Sequence, residues 1–453
     1  MQTDSPKQFK RVLTLFPVVL FGLAYMVPLT IFSTYGIVAQ VTKGLLPAAY
    51  VVTLLTMLFT AFSYGRMVRA FPYAGSAYTY TQKSLGSHAG FYAGWILLLD
   101  YLFLPMINYL LIGIYLNAEF PAIPVWVWIL LAIGLVTFIN IRGIQLVANV
   151  NFLLILFQVI FVVMFVILSV KTVVSNDGVS SLFTIAPFFS EDSSLSLVFS
   201  GAAILCLSFL GFDAVTTLTE ETKEAKKTIP RAIFLVTIIG GGLFIFVAYL
   251  GQLVYPDYNA FVDPDSAGLE IAAFLGGSLF KSLFLAAYII GCIASATSSH
   301  ASVSRLLFAM GRDSVLPKKV FGYISPKYHT PVLSTLVVSL AALAALVFDL
   351  ETVSSFISFG ALAAFTLVHI SVIAHYYIRG RYRSFGNSIS YLIIPSIGII
   401  LCLWLWTSLS QHAFMLGFSW IIIGTIYLAY LTKMFKEQPP VLTFDTEESP
   451  KVS

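Results

Sequence analysis

Asp100 and Asp213 are the residues whose surroundings first demand a chemical role. Asp213 lies in the apolar run GAAILCLSFLGFDAVTTL, and Asp100 lies in GWILLLDYLFLPMINYLL. The other acidic residues fall near the ends of apolar runs or outside them. A charge at mid-bilayer costs at least about 2.5–3.5 kcal/mol on insertion scales, so carboxylates kept there mark sites that handle a cation or a proton. Tyr101 and Phe209, next to them in sequence, offer aromatic faces to a cation. The plainer reading is that they pack, since aromatic residues make up 15% of the chain. Asp213 has a plainer reading too, capping interrupted backbone. Asp100 has two, partnering a hydroxyl or relaying protons.

The elements that hold these groups are membrane helices. The chain has 453 residues, 58% of them apolar and only 10% charged, against about 25% charged in soluble domains. Twelve apolar segments of about 20 residues can be read, enough for one crossing each. They centre near Tyr25, Leu58, Leu102, Leu131, Val159, Leu207, Phe244, Gly291, Leu340, Leu362, Ile400 and Ile422. Long runs without strict alternation fit helices and not a barrel. With twelve spans, 22 of the 25 Lys and Arg residues fall on the side of the two termini, and only Lys43, Lys171 and Lys281 fall opposite. That asymmetry places both termini in the cytoplasm. The first run is read as a mature span, because it is too long for a cleavable signal and leads into Pro28 and Thr30. Cys206, Cys292 and Cys402 all lie within apolar runs and form neither a disulfide framework nor a metal-ligand spacing. No metal or cofactor is expected.

Spans one and six carry interruptions at matching places. Span one reads VVLFGLAYMVPLTIFSTYGIV, with Gly22 and Pro28 inside, and span six contains Gly201 and Gly211. Proline removes a helical hydrogen bond. Glycine costs about 1 kcal/mol of helix propensity against alanine. Paired interruptions in corresponding spans point to a transporter site, which makes Met26, Pro28, Thr30 and Gly211 candidate binding positions beside Asp100, Asp213, Tyr101 and Phe209. An offset of five spans reverses direction through the membrane, as inverted five-helix repeats require. The alternative is a simple kink and a packing contact. The outer loop from about Tyr255 to Leu269 holds Asp257, Asp263 and Asp265, and the tail EQPPVLTFDTEESPKVS has a disordered composition.

Three stretches resemble the amino acid–polyamine–organocation (APC) superfamily of secondary transporters: FPYAGSAYTYTQKSLGSHAGFYAGW, FLGFDAVTTLTEETKEAKKTIPRAI and SRLLFAMGRDSVLPKKVFGYISPKYHTP. The likeness covers about residues 10–435. Within it, GLAYMVPLT, LLDYLFLPMIN and GFDAVTTL look like bacterial putrescine importers. The resemblance implies an all-α integral membrane protein with the leucine-transporter fold, twelve transmembrane helices, a 5+5 inverted repeat and broken helices one and six. The implied layout is a tail at 1–10, a first repeat at 11–175, a second repeat at 195–380, two further helices at 388–435 and a tail at 436–453. It also implies the bacterial inner membrane, alternating access, and a small cationic substrate such as putrescine.

Residues at family positions refine that expectation. Amino acid members cradle the substrate carboxylate on a Gly-Ser-Gly turn in span one, whereas this chain has Met26-Val27-Pro28-Leu29-Thr30, and Pro28 offers no N–H. Two ammonium groups would instead meet Asp100 and Asp213, each ionic hydrogen bond being worth about 1.5–3 kcal/mol. Asp213 matches an acidic position that resembles the amine-binding carboxylate of polyamine and arginine exchangers. Proton-coupled members carry a Lys on span five where this chain has Gln158, which cannot carry the charge. A proton, with Asp100 as carrier, is the first choice of coupling ion, and sodium is the second. Ser298 and Ser299 resemble positions where sodium-coupled relatives supply hydroxyl ligands. His300 either relays protons or packs. Glu220 and Glu221, close to Lys223, Lys226 and Lys227, read either as a cytoplasmic gate or as a solvated ion-pair cluster. Rival readings are an amino acid permease, a membrane sensor without flux, and a membrane enzyme. Against the enzyme stands the lack of a Cys/His cluster, a nucleotide loop and a serine elbow. Nothing points to nucleic acid.

Overall fold

The computed structural model describes residues 11–189, 194–262, 264 and 267–439. The expectations for residues 1–10 and 440–453, and for Asp263 and Asp265, lie outside the described residues. Helices follow one another along the chain: α1 (Leu15–Met26), α2 (Ile31–Val41), α3 (Leu46–Ala70), α4 (Ser76–Leu85), α5 (Ser87–Glu119), α6 (Val125–Arg142), α7 (Ile144–Asp177), α8 (Leu195–Leu205), α9 (Ala225–Val254), α10 (Ala267–Arg312), α11 (Lys318–Phe321), α12 (Val332–Ala342), α13 (Leu350–Val372), α14 (Phe385–Ser388), α15 (Ile394–Trp406) and α16 (Gln411–Leu431).

Among the described residues, ten helices are long and apolar enough to cross a bilayer, and the bent pair α1–α2 makes an eleventh. The segment expected near Leu340 is the shorter apolar helix Val332–Leu346. Leu131, Leu153, Ile167, Ile422 and Ile426 stand exposed on α6, α7 and α16. So much exposed apolar surface is costly in water and costs nothing against lipid tails.

The centre of the molecule is α5, which packs against α10, α13, α4 and α6. At Gly360, α13 comes so close that a Cβ there would lie 2.5 Å from the backbone nitrogen of Asp100. Trp95 of α5 and Trp420 of α16 each donate an indole N–H to the other's carbonyl, at 2.9 and 2.7 Å.

Both expected interruptions are present. Span one bends by 53° between α1 and α2. Pro28 has no N–H to continue the helix, and Val27 takes φ +55°, a strained value for a β-branched residue. Local bonds hold the break: Val27 N–H donates to the Leu23 carbonyl (3.1 Å), Thr30 N–H to the Val27 carbonyl (2.9 Å), and Thr30 Oγ1 to the Met26 carbonyl (2.8 Å). Span six leaves α8 through a 3-10 turn at Cys206–Phe209, extends at Leu210, turns at Gly211, and resumes as a 3-10 helix over Ala214–Glu221. Gly211 has φ +120°, and a Cβ on it would lie 2.4 Å from the Tyr25 ring, so both backbone and contact require glycine.

Two features depart from the sequence reading. The 46-residue α10 leaves helical geometry at Gly276 and Gly277; it starts at Ala267, inside the segment read as loop. The connection after span two is itself helical and buried. Gly75 and Gly86 bound α4, whose Ser76, Tyr78 and Tyr80 are buried beneath the span-six break.

Candidate functional site

Asp213 opens the second half of span six and is buried. The Tyr101 hydroxyl of α5 donates to Asp213 Oδ2 at 2.9 Å and lies 3.3 Å from Ser76 Oγ of α4. The backbone beside it is tied locally, the Ala214 N–H donating to the Gly211 carbonyl at 3.2 Å. Asp100 precedes Tyr101 on α5, lies within electrostatic range of Asp213, and is equally buried. Its Oδ1 has no hydrogen-bond partner among the described residues. Neither aspartate forms an ion pair with a Lys or Arg among those residues.

Tyrosines surround this pair. Tyr25 of α1 and Tyr64 of α3 lie within electrostatic range of both carboxylates, and Tyr80 of α4 within range of Asp213. The Tyr64 and Tyr80 rings meet edge to face at 6.1 Å. Phe212 sits edge-on to Tyr64 at the same separation. Phe209 is buried elsewhere, against Phe244 of α9 at 5.5 Å. The arrangement sets two carboxyl groups among aromatic faces and hydroxyl oxygens, an environment suited to ammonium ions.

Beside the pair is a cavity of about 490 Å³, lined in part by Tyr25, Met26, Thr30, Asn108, Ser208 and Ser295. Neither aspartate lines it. A hydrogen-bond chain crosses its wall: Asn108 Nδ2 donates to Ser295 Oγ (3.0 Å), and Ser295 Oγ donates to the Tyr25 carbonyl (2.8 Å). The carbonyl released by the break in span one is thereby tied to α10 and α5. Pro28 lines instead a wholly apolar cavity of about 380 Å³ between α1, α7 and α9.

The residues considered for coupling are dispersed. Gln158 of α7 is buried against the Gly291 region of α10, close to where Val27 packs, and its Oε1 has no partner among the described residues. Ser298 accepts from Asn151 Nδ2 of α7 at 2.8 Å. Ser299 donates to its own helix at the Ser295 carbonyl, 2.7 Å away. His300 joins Tyr109 of α5 and the Thr335 carbonyl, both at 3.0 Å, away from the aspartates.

Glu220 and Glu221 are placed differently from the solvated lysine cluster. Glu221 forms a buried ion pair with Arg305 of α10. Glu220 receives Arg312 Nη1 at 2.8 and 2.9 Å and the Ala74 N–H at 3.1 Å. Next to them Tyr78 donates to Asp313 Oδ2 at 2.6 Å and accepts from Gln82 Nε2 at 2.9 Å. Burial holds the Asp313 carboxyl above its ordinary range, against the Tyr78 hydrogen bond. Of the three lysines, Lys227 pairs with Glu224 on the surface. These contacts tie the ends of span six and α10 to α4 at one end of the molecule.

Tyr25, Tyr64, Tyr80 and Ser76 are the site's surroundings that the sequence reading did not select. Tyrosine within or beside an apolar run, as in FSYGRM and SAYTYTQ, was the available signal, since a buried phenol hydroxyl calls for a polar neighbour.

A bundle of apolar helices, two of them interrupted where buried carboxylates gather, is the architecture of a multi-pass membrane transporter. The amino acid permease family matches residues 17–436, and the chain belongs to that family. Over 437 residues it is 44% identical to the low-affinity putrescine importer PlaP of Escherichia coli, covering 96% of this chain and 97% of that one. It is 28% identical over 462 residues to the methylthioribose transporter of Bacillus subtilis, covering 95% of each. Its identity to the branched-chain amino acid permease BcaP of the same organism is 26% over 463 residues, 96% of each.

Proposed function

We propose that this protein imports a polyamine, putrescine first, across the bacterial inner membrane by ion-coupled alternating access. The observation that carries the reading is the buried pair Asp100 and Asp213, which meets tyrosines and no protein cation among the described residues. Buried charge without a partner is strongly unfavourable, and a diamine brings two cations. The name of the Escherichia coli relative supports the same substrate. The break in span one argues against an α-amino acid: the Val27 and Thr30 N–H groups are spent on local carbonyls, and Pro28 has none.

In this reading Asp213 and Asp100 hold the two ammonium groups, Tyr101 positions Asp213, and Met26 and Thr30 line the approach. Residues 11–175 and 195–380 form the two inverted repeats, with Val332–Leu346 as the remaining crossing of a twelve-span topology. Both termini are cytoplasmic, as the basic residues favour. The cavity of about 490 Å³ then opens towards the outer face, and the Glu220–Arg312 and Glu221–Arg305 pairs close the inner one. Coupling is assigned to protons through Asp100, with sodium at Ser298 and Ser299 as the competing assignment. No chemical conversion of the substrate is assigned.

Uptake of radiolabelled putrescine into vesicles holding the purified protein tests the reading, with pH and sodium gradients imposed separately. Accumulation driven by the pH gradient is expected. A protein that binds and moves branched-chain amino acids but not putrescine would overturn it.

A further inference from the structure

We infer that Tyr25 is a lid: its ring, seated on Gly211, separates the cavity from the buried Asp100 and Asp213, and must leave that seat for an amine to pass. This rests on the assignment of the two aspartates as the amine site.

Tyr25 belongs to two compartments at once. It lines the cavity, together with Met26 and Ser208, and it lies within electrostatic range of both aspartates, which do not line the cavity. Its seat is specific. Gly211 holds φ +120°, and a Cβ there would come within 2.4, 2.7 and 2.8 Å of Tyr25 Cδ1, Cγ and Cβ. The Tyr25 ring therefore rests on bare backbone at the break of span six, joining the breaks of both spans into one wall.

The residue is also built for side-chain movement over a fixed backbone. Ser295 of α10 holds the Tyr25 carbonyl at 2.8 Å, and Asn108 of α5 holds Ser295 at 3.0 Å. Its hydroxyl is buried and has no hydrogen-bond partner among the described residues, so nothing polar locks the ring in place. A phenol oxygen without a partner accepts readily from an ammonium N–H. That oxygen thus offers a passing amine a contact at the barrier itself.

The test uses accessibility, not transport. In full-length protein with Cys206, Cys292 and Cys402 replaced by Ala, Ser76→Cys places a reporter on the aspartate side, where Ser76 meets Tyr101. Ile37→Cys places a second reporter in the cavity wall. A cationic, membrane-impermeant methanethiosulfonate is applied to vesicles from each side in turn. Ile37→Cys should react at the same rate with Tyr25 or Tyr25→Ala, which also shows that the variant is folded. Ser76→Cys should react about tenfold faster or more in Tyr25→Ala, because its labelling follows the open population. Tyr25→Phe, which keeps the ring, should restore protection. Equal labelling of Ser76→Cys with Tyr25 and Tyr25→Ala would overturn the lid, as would Tyr25→Phe behaving like Tyr25→Ala. The readout needs no substrate, so a failure to take up putrescine would strike the transport reading and leave this measurement standing.

Discussion

The Tyr101 hydroxyl donates to Asp213 across 2.9 Å, while Asp100, its neighbour along α5, keeps Oδ1 without a partner among the described residues. Consecutive residues of α5 thus supply one carboxylate's support and a carboxylate oxygen left open. The two aspartates thus differ in their support, Asp213 held by a phenol hydroxyl and Asp100 with an oxygen unmatched among the described residues.

Asp213→Asn keeps the shape of the site and removes one charge. Losing one partner of a buried charge pair should weaken putrescine binding by about 2–4 kcal/mol, roughly 30- to 700-fold in Kd. Isothermal titration or scintillation proximity binding on the purified variant measures it. A Kd close to that of the parent protein would remove Asp213 from the site.

Putrescine uptake should be inhibited far better by other diamines than by ornithine, which adds an α-carboxylate. That group would be buried without the N–H donors it needs, at a cost of several kcal/mol. Competition against labelled putrescine gives the ratio, and equal inhibition would show that the break at Val27–Thr30 accommodates a carboxylate.

Asp100→Asn should abolish accumulation of putrescine against a gradient while leaving exchange measurable at raised substrate concentration, because exchange requires no net proton movement and Asp213 still holds one ammonium group. Counterflow and gradient-driven uptake in the same vesicles separate the two. Loss of both would place Asp100 in substrate binding alone. A sodium requirement with indifference to the pH gradient would move coupling to Ser298 and Ser299.

Glu221→Gln strands the buried Arg305 guanidinium. Removing one partner of such a pair costs about 3–5 kcal/mol, so thermal stability should drop clearly. Cysteines introduced along α4 should label faster from the cytoplasmic side. Glu221→Gln combined with Arg305→Met should recover most of the stability, since replacing both partners by uncharged groups is often close to neutral. An unchanged melting temperature in the single variant would refute the role of the pair.

The sequence was most legible where chemistry and environment conflict. Aspartates in apolar runs, and Pro28 and Gly211 inside spans, stood out because a bilayer penalises charge and a helix penalises those residues. Tyr25, Tyr64 and Tyr80 did not stand out among 23 Tyr and 39 Phe, since packing uses the same residues. Helix α4 is hard to find by hydropathy, because its run SAYTYTQKSL is polar and bounded by Gly75 and Gly86. Only its neighbours make it a buried element. Glu221 looked tied to the lysines just after it, whereas its partner Arg305 lies 84 residues away. The shortness of the apolar helix Val332–Leu346 and the kink at Gly276–Gly277 are not visible to hydropathy.

The N–H groups of Val12 and Leu13 donate to the Glu221 carbonyl at 2.9 and 3.0 Å, and Lys223 N–H donates to the Leu13 carbonyl at 2.9 Å. The lead-in to α1 is thus stitched to the residue whose side chain is paired with Arg305. The two discontinuous spans share a yoke at this end, so that a displacement of either one here would pull on the other and on the pair between Glu221 and Arg305. A substitution in that yoke is expected to change how fast the protein cycles without touching what it carries.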